Sequence, residues 1–274
     1  MAQGQATAAA GTERAAWSHV EEMRSARRVQ SRLLPSLTPR IAGLECAGLS
    51  VPARGVGGDF FDFVEAGPGR VALVFGDVSG KGVPAALMMA TLQASLRSHY
   101  ALATGELARR LESVNRFFVE WTASEHFASL FVGEYDEESG RLRYANCGHV
   151  PPYVLRRGLG IERLEATATV LGLFEDWSCV TAETRLSEGD LLLLVSDGVT
   201  EAADASGAAY GERRLAAALA AHREMRSGAL ARAVADEAGA FAEGGPADDL
   251  TVVAVRVRGR TAGGGERPGG RGPR

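Results

Sequence analysis

The chain has 274 residues, a formal charge of −4 and 46% apolar residues, enough for one large domain or two small ones around a sizeable core. The slightly acidic balance points to neither nucleic acid nor an anionic membrane, and no apolar run approaches the roughly 20 residues of a membrane helix. Three widely spaced cysteines, Cys46, Cys147 and Cys179, form neither a disulfide framework nor a Cys/His metal pattern. With no basic and apolar leader in residues 1–10, the expectation is a cytoplasmic protein with reduced, buried thiols.

Residues 1–11 are small and polar and read as disordered. Residues 12–34 read as a helix with Trp17, Val20, Met23, Gln30 and Leu34 near one stripe, ended by Pro35. That narrow stripe suits a helix packed on its own domain, or one that pairs with a second copy or a regulator. Both readings remain open. Apolar runs at 44–51, 59–64 and 70–76 read as strands. Pro84 suits a first helical turn, and Ala85, Leu87, Met88, Leu92 and Leu96 follow at helical spacing. Thr104 is placed to cap a second helix carrying Leu107, Leu111, Val114 and Phe118.

Strands return at 128–135 and 140–146 around a turn at Asp136–Gly140, then at 151–156, 179–186 and 190–196. Helices are expected at 211–222 and 227–243, and a last strand at Leu250–Val257. The Gly- and Arg-rich tail 259–274 reads as disordered and solvated. Strands come in runs and helices in pairs, so stacked antiparallel sheets with helices outside are favoured over a doubly wound parallel sheet.

Four acidic sites share one context. Asp59 follows Gly57-Gly58, Asp77 follows the run ending Phe75-Gly76, Asp197 follows Leu191–Ser196 and precedes Gly198, and Asp248-Asp249 precedes the last strand. Any one of them alone reads as an ordinary turn. Four carboxylates converging at one sheet edge would repel one another unless cations neutralised them, and hard oxygen ligands suit Mg²⁺ or Mn²⁺. Spacing alone does not establish that they converge.

Other readings of the same residues are weaker. Gly76–Gly82 is one residue short of a phosphate-binding loop and has Gly82 where Ser or Thr belongs. Gly80-x-Gly82-x-x-Ala85 matches a dinucleotide fingerprint, but no acidic residue follows at a strand end. No protein nucleophile stands out. His149, opening the turn Gly148–Pro152, reads first as a structural histidine.

Six motifs in order resemble the SpoIIE-like (RsbU-like) branch of the metal-dependent PPM serine/threonine phosphatases. They are Gln30-x-x-Leu33-Leu34-Pro35, Val56–Asp62, Gly76–Gly82, Ala145–Pro152, Ser196–Glu201 and Asp248–Thr251. They span residues 28–257. Phe61 stands where that family often has Tyr, and Gly55 where a charged residue is common.

The resemblance implies an α+β, four-layer αββα sandwich: two antiparallel sheets flanked by paired helices, with two Mn²⁺ or Mg²⁺ ions at one sheet edge. Its phosphatase domain would be 36–258, preceded by the 12–35 helix. By position, Asp77 would bridge both ions, Asp197 and Asp248 would join one, and Asp59 with the Val78 carbonyl would serve the other. Gly58, Lys81, His149, Gly198 and Asp249 would shape the surroundings. A metal-activated water would attack the phosphoryl group.

The implied substrate is a phosphorylated STAS-type anti-sigma-factor antagonist in a partner-switching pathway. About 27 residues precede the Gln30 motif, too few for a sensor domain. Activation is therefore expected from a separate activator acting on helix 12–34, or from homodimer formation. Two rival readings are a non-catalytic partner-switch module of the same fold and a nucleotide-binding enzyme using residues 76–85. Intact acidic ligands argue against the module.

Overall fold

A computed structural model describes residues 20–35, 43–102, 105–158 and 160–258. The expectations for the two termini and for a cap at Thr104 lie outside the described residues. Residues 20–33 are helical (α1). Two five-stranded antiparallel sheets follow. In the first, β1 (Leu44–Val51) pairs with β10 (Leu250–Val257), then come β9 (Leu191–Val195), β6 (Tyr153–Arg156) and β7 (Gly160–Arg163). In the second, the order is β2 (Phe60–Glu65), β3 (Arg70–Val78), β4 (Ala128–Asp136), β5 (Arg141–Cys147) and β8 (Ala182–Arg185).

Helices α2 (Val83–Ala101) and α3 (Leu107–Trp121) cover the second sheet. α5 (Gly211–Ala221) and α6 (Ser227–Phe241) cover the first, and the short α4 (Asp197–Thr200) follows β9. The expected four-layer αββα sandwich is therefore the observed architecture, and it has three apolar layers.

Strand alternation sorts the side chains among those layers. In β3, Ala72, Val74 and Val78 pack under α2 and α3, while Val71, Leu73 and Phe75 point between the sheets. In β10, Val253, Val255 and Val257 point between the sheets, and Leu250, Val252 and Ala254 face α6. Strands buried on both faces read as continuous apolar runs, which is why β3, β9 and β10 stand out in the sequence. Burying each large side chain stabilises the fold by about 1.5–3 kcal/mol.

The sequence reading differs from the structure in three places. Ala85, Met89, Leu92, Leu96 and Tyr100 form the buried stripe of α2, whereas Leu87 is 65% exposed. On α1, Gln30 is buried and Met23 and Leu34 are half-buried, but Val20 is exposed, so the stripe is shorter than its spacing suggests. β7 and α4 were not expected. β7 is exposed along its length and carries no apolar period, and α4 is a single turn.

Candidate metal centre

The same alternation builds the site. Phe61, Phe75, Leu194 and Val253 all belong to the layer between the sheets. Two residues from each, toward one edge, stand Asp59, Asp77, Ser196 and Thr251. The inter-sheet face thus continues at that edge as polar side chains at or just beyond the ends of β2, β3, β9 and β10. Asp59 is only 4% exposed, and Ser196 and Thr251 are fully buried. Ser196 Oγ donates to the Asp249 carbonyl and Thr251 Oγ1 to Ser50 Oγ, each at 3.0 Å, and Asp59 and Asp77 lie close enough for each to perturb the other.

Two neighbouring buried carboxylates are electrostatically costly unless a proton or a cation compensates them. Burial, reinforced by Asp77, raises the Asp59 pKa well above its ordinary value. Burial and the neighbouring Asp197, Asp248 and Asp249 push Asp77 up to about 7. Asp197 is raised too, by burial and then by Asp248. The Asp59 Oδ2 atom is buried without a hydrogen-bond partner. An unpaired buried carboxylate oxygen calls for a compensating charge. The donors are all oxygen, the set that Mg²⁺ and Mn²⁺ prefer.

The adjoining cavity, about 370 Å³, is lined by Asp77, Val78, Asp197, Asp248, Lys81 and His149, among others. The structure therefore brings Asp77, Asp197 and Asp248 to one cavity, with Asp59 behind Asp77. Among the described residues, no three His, Cys, Asp or Glu side chains form a ready-made ligand cage. Lys81 Nζ stands 2.7 Å from Asp248 Oδ2 and donates to the Ala247 carbonyl at 2.9 Å. Asp248 is held by an ammonium group.

Asp249 points elsewhere. Its Oδ1 accepts from the Ala53 backbone N–H at 2.8 Å, and its carboxylate lies against Gly57, where an added Cβ would meet Oδ2 at 1.7 Å. It anchors the loop before Asp59 and does not line the cavity. Gly58 lies against the Val78 carbonyl oxygen, which an added Cβ would meet at 2.4 Å. Gly198 lets α4 close on the Asp249 carbonyl in the same way.

His149 is 4% exposed. Its Nδ1 is 2.7 Å from Ser129 Oγ, its backbone N–H donates to Asn146 Oδ1, and its ring packs beside Phe75. Burial pushes its pKa down to about 4. It is neutral near pH 7, and these contacts hold it in the turn.

Sequence reasoning missed Ser129, which lies opposite Asp77 in the β3–β4 register. It also missed the pairing of Ser79 with Phe127. Ser79 N–H donates to the Phe127 carbonyl, and Phe127 N–H donates to Ser79 Oγ. Both depend on strand register, which no local motif encodes.

This fold is that of the PP2C phosphatase domains among solved structures. The chain superimposes on the SiaA-PP2C domain of Pseudomonas aeruginosa with TM-score 0.77 and 22% identity, covering 88% of this chain and 98% of that one. It superimposes on the RsbU and RsbW domains of a Mycobacterium tuberculosis protein with TM-score 0.68 and 28% identity, covering 81% and 62%.

Residues 67–258 match the family Stage II sporulation protein E (SpoIIE), and the chain belongs to that family. It is 32% identical over 182 residues to the phosphoserine phosphatase RsbU of Bacillus subtilis, covering 66% of this chain and 53% of that protein. It is 28% identical over 261 residues to the protein IcfG of Synechocystis, covering 85% and 41%. The chain thus spans about half the length of these two relatives or less.

Proposed function

We propose that this chain is a metal-dependent phosphatase that hydrolyses phosphoserine or phosphothreonine on a protein. The observation that carries this reading is the buried Asp59 with its unpaired oxygen, electrostatically coupled to Asp77, which lines one cavity with Asp197 and Asp248. Membership of the SpoIIE family and similarity to a phosphoserine phosphatase support it. Asp59, Asp77, Asp197, Asp248 and the Val78 carbonyl would hold two Mn²⁺ or Mg²⁺ ions. Such ions supply an acidified water and neutralise the phosphoryl oxygens.

The chain's own residues do the rest. Ser196 ties the end of β9 to β10, donating to the Asp249 carbonyl and accepting from the Thr251 N–H. The Ser79–Phe127 pairing fixes the loop after Asp77. His149 lines the cavity and is held in its turn by Asn146 and Ser129. We further assign the substrate as a phosphorylated STAS-type anti-sigma antagonist and the setting as a partner-switching pathway, following the similarity to RsbU. Three buried cysteines, none in a disulfide among the described residues, suit a reducing cytoplasm, and no helix among the described residues is long and apolar enough to cross a membrane.

Control would act through α1. Gln30 grips the Gly57 backbone, and Leu33 accepts from Gln93 of α2. A separate activator, or a second copy of the chain, bearing on this helix would reach the Asp59 loop.

The test is hydrolysis of p-nitrophenyl phosphate and of a phosphoserine peptide with Mn²⁺, with EDTA, and in Asp77→Ala and Asp197→Ala. Turnover should require the metal and fall roughly 10²–10³-fold or more in each variant, the scale of losing one major transition-state stabiliser. Turnover that survives chelation and both substitutions overturns the reading.

A further inference from the structure

The cavity carries more negative charge than a phosphoryl group tolerates. Asp77, Asp197 and Asp248 line it, and among the described lining residues Lys81 carries the one positive side chain, since His149 is neutral. Lys81 sits between Gly80 and Gly82, whose φ angles are +97° and +73° and which have open space around them. Its side chain is 39% exposed and Asp248 is 43% exposed, so the pair stands at the mouth, not in the core. The ammonium also reduces the repulsion that raises Asp197. It therefore acts on two of the carboxylates that a cation would need.

We propose that Lys81 is the phosphoryl-binding residue of this site and alternates between two anions. In the metal-free protein it neutralises Asp248. When Asp248 turns to a divalent cation, the ammonium is released to the phosphoryl oxygens of the substrate. The inference rests on the two-metal phosphatase reading and adds to it the residue that contacts the substrate.

The chemistry suits the exchange. A lysine ammonium is a compact charge on a flexible stem with three rotatable donors, and the flanking glycines leave its backbone unobstructed. A side chain already satisfied by one carboxylate needs only a short swing to satisfy a phosphate oxygen.

The experiment compares wild type with Lys81→Met, which keeps the stem and removes the charge. Mn²⁺ affinity is measured by titration calorimetry, and inorganic phosphate is measured as an inhibitor of p-nitrophenyl phosphate hydrolysis. Lys81→Met should bind Mn²⁺ several-fold more tightly. Its inhibition constant for phosphate should rise about tenfold or more, the loss expected for one charge-assisted hydrogen bond. Lys81→Gln should behave alike, and it replaces Lys81→Met if that variant melts below wild type.

Weaker or unchanged Mn²⁺ binding, or an unchanged phosphate constant, makes Lys81 a latch for the loop and overturns the exchange while leaving the phosphatase reading intact. Wild-type protein that neither binds Mn²⁺ nor turns over overturns both.

Discussion

Gln30 and Gly57 exchange two hydrogen bonds: Gln30 Nε2 donates to the Gly57 carbonyl at 2.7 Å, and the Gly57 N–H donates to Gln30 Oε1 at 3.2 Å. The side-chain amide imitates a strand neighbour, and the backbone it holds lies two residues before Asp59. Gln30 is buried, so Gln30→Ala leaves two backbone groups unpaired and should cost about 1–3 kcal/mol. Loss of a residue that orients ligands typically weakens metal affinity or activity 10–100-fold. Mn²⁺ titration of Gln30→Ala should show roughly that loss, and affinity equal to wild type would detach α1 from the site.

The Gly57-Gly58 pair admits no side chain. A Cβ on Gly58 would fall 2.4 Å from the Val78 carbonyl oxygen, a backbone atom that cannot swing away. Gly58→Ala should therefore push β2 from β3 at the Asp59–Asp77 contact. A cost of about 1–3 kcal/mol is expected from such overpacking, seen as a lower Tm together with lost turnover. A variant that melts like wild type and retains full activity would show that the loop yields.

The proton count at the site sets a pH dependence. Burial and its acidic neighbours raise Asp77 from the ordinary 3.8 to about 7 in the folded, metal-free protein. Between those values the folded state binds more protons than the unfolded state, so stability falls as pH rises through the window. Asp59 and Asp197, raised for the same reasons, act in the same direction. EDTA-treated protein should melt higher at pH 5 than at pH 7.5, and Asp77→Asn should reduce that difference. Mn²⁺ binding must release the shared protons, so apparent affinity should climb over the same range. An Asp77→Asn variant with the wild-type slope would remove Asp77 as its source.

Much of this site is legible in the chain because its elements are buried on both faces. β3, β9 and β10 announce themselves as apolar runs, and each carboxylate stands where a run begins or ends. Their order also reveals the family. Position within the site is less legible. Asp248 and Asp249 are adjacent and chemically identical, and only the fold turns one to the cavity and the other to Ala53. Ser129 reaches His149 through register across β4, a relationship with no local signal. Leu87 shows the opposite failure: it is apolar at helical spacing, yet it faces solvent because Met89 and Leu92 already cover the sheet.

Asp62 tests how the site is braced from behind. It points to the helix side of β2 and is 1% exposed. Arg97 grips it with two hydrogen bonds, at 2.6 and 2.7 Å, Gln93 adds a third at 3.1 Å before reaching on to Leu33, and the Phe63 N–H donates a fourth at 2.8 Å. The two partners are unequal, since the Arg97 side chain is 54% exposed. Removing the aspartate charge returns the guanidinium to water, whereas removing the arginine strands a buried carboxylate. Arg97→Met should therefore cost about 3 kcal/mol, toward the low end for breaking a buried pair. Asp62→Asn should cost about 1 kcal/mol, an ordinary lost hydrogen bond. At roughly 2–4 °C per kcal/mol for a domain of this size, thermal melts resolve the two. Combining Asp62→Asn with Arg97→Met should recover most of the Arg97→Met loss, because the stranded charge is gone. If the double variant is as unstable as the sum of the two, Arg97 acts through packing of its stem on α2, and the brace is apolar.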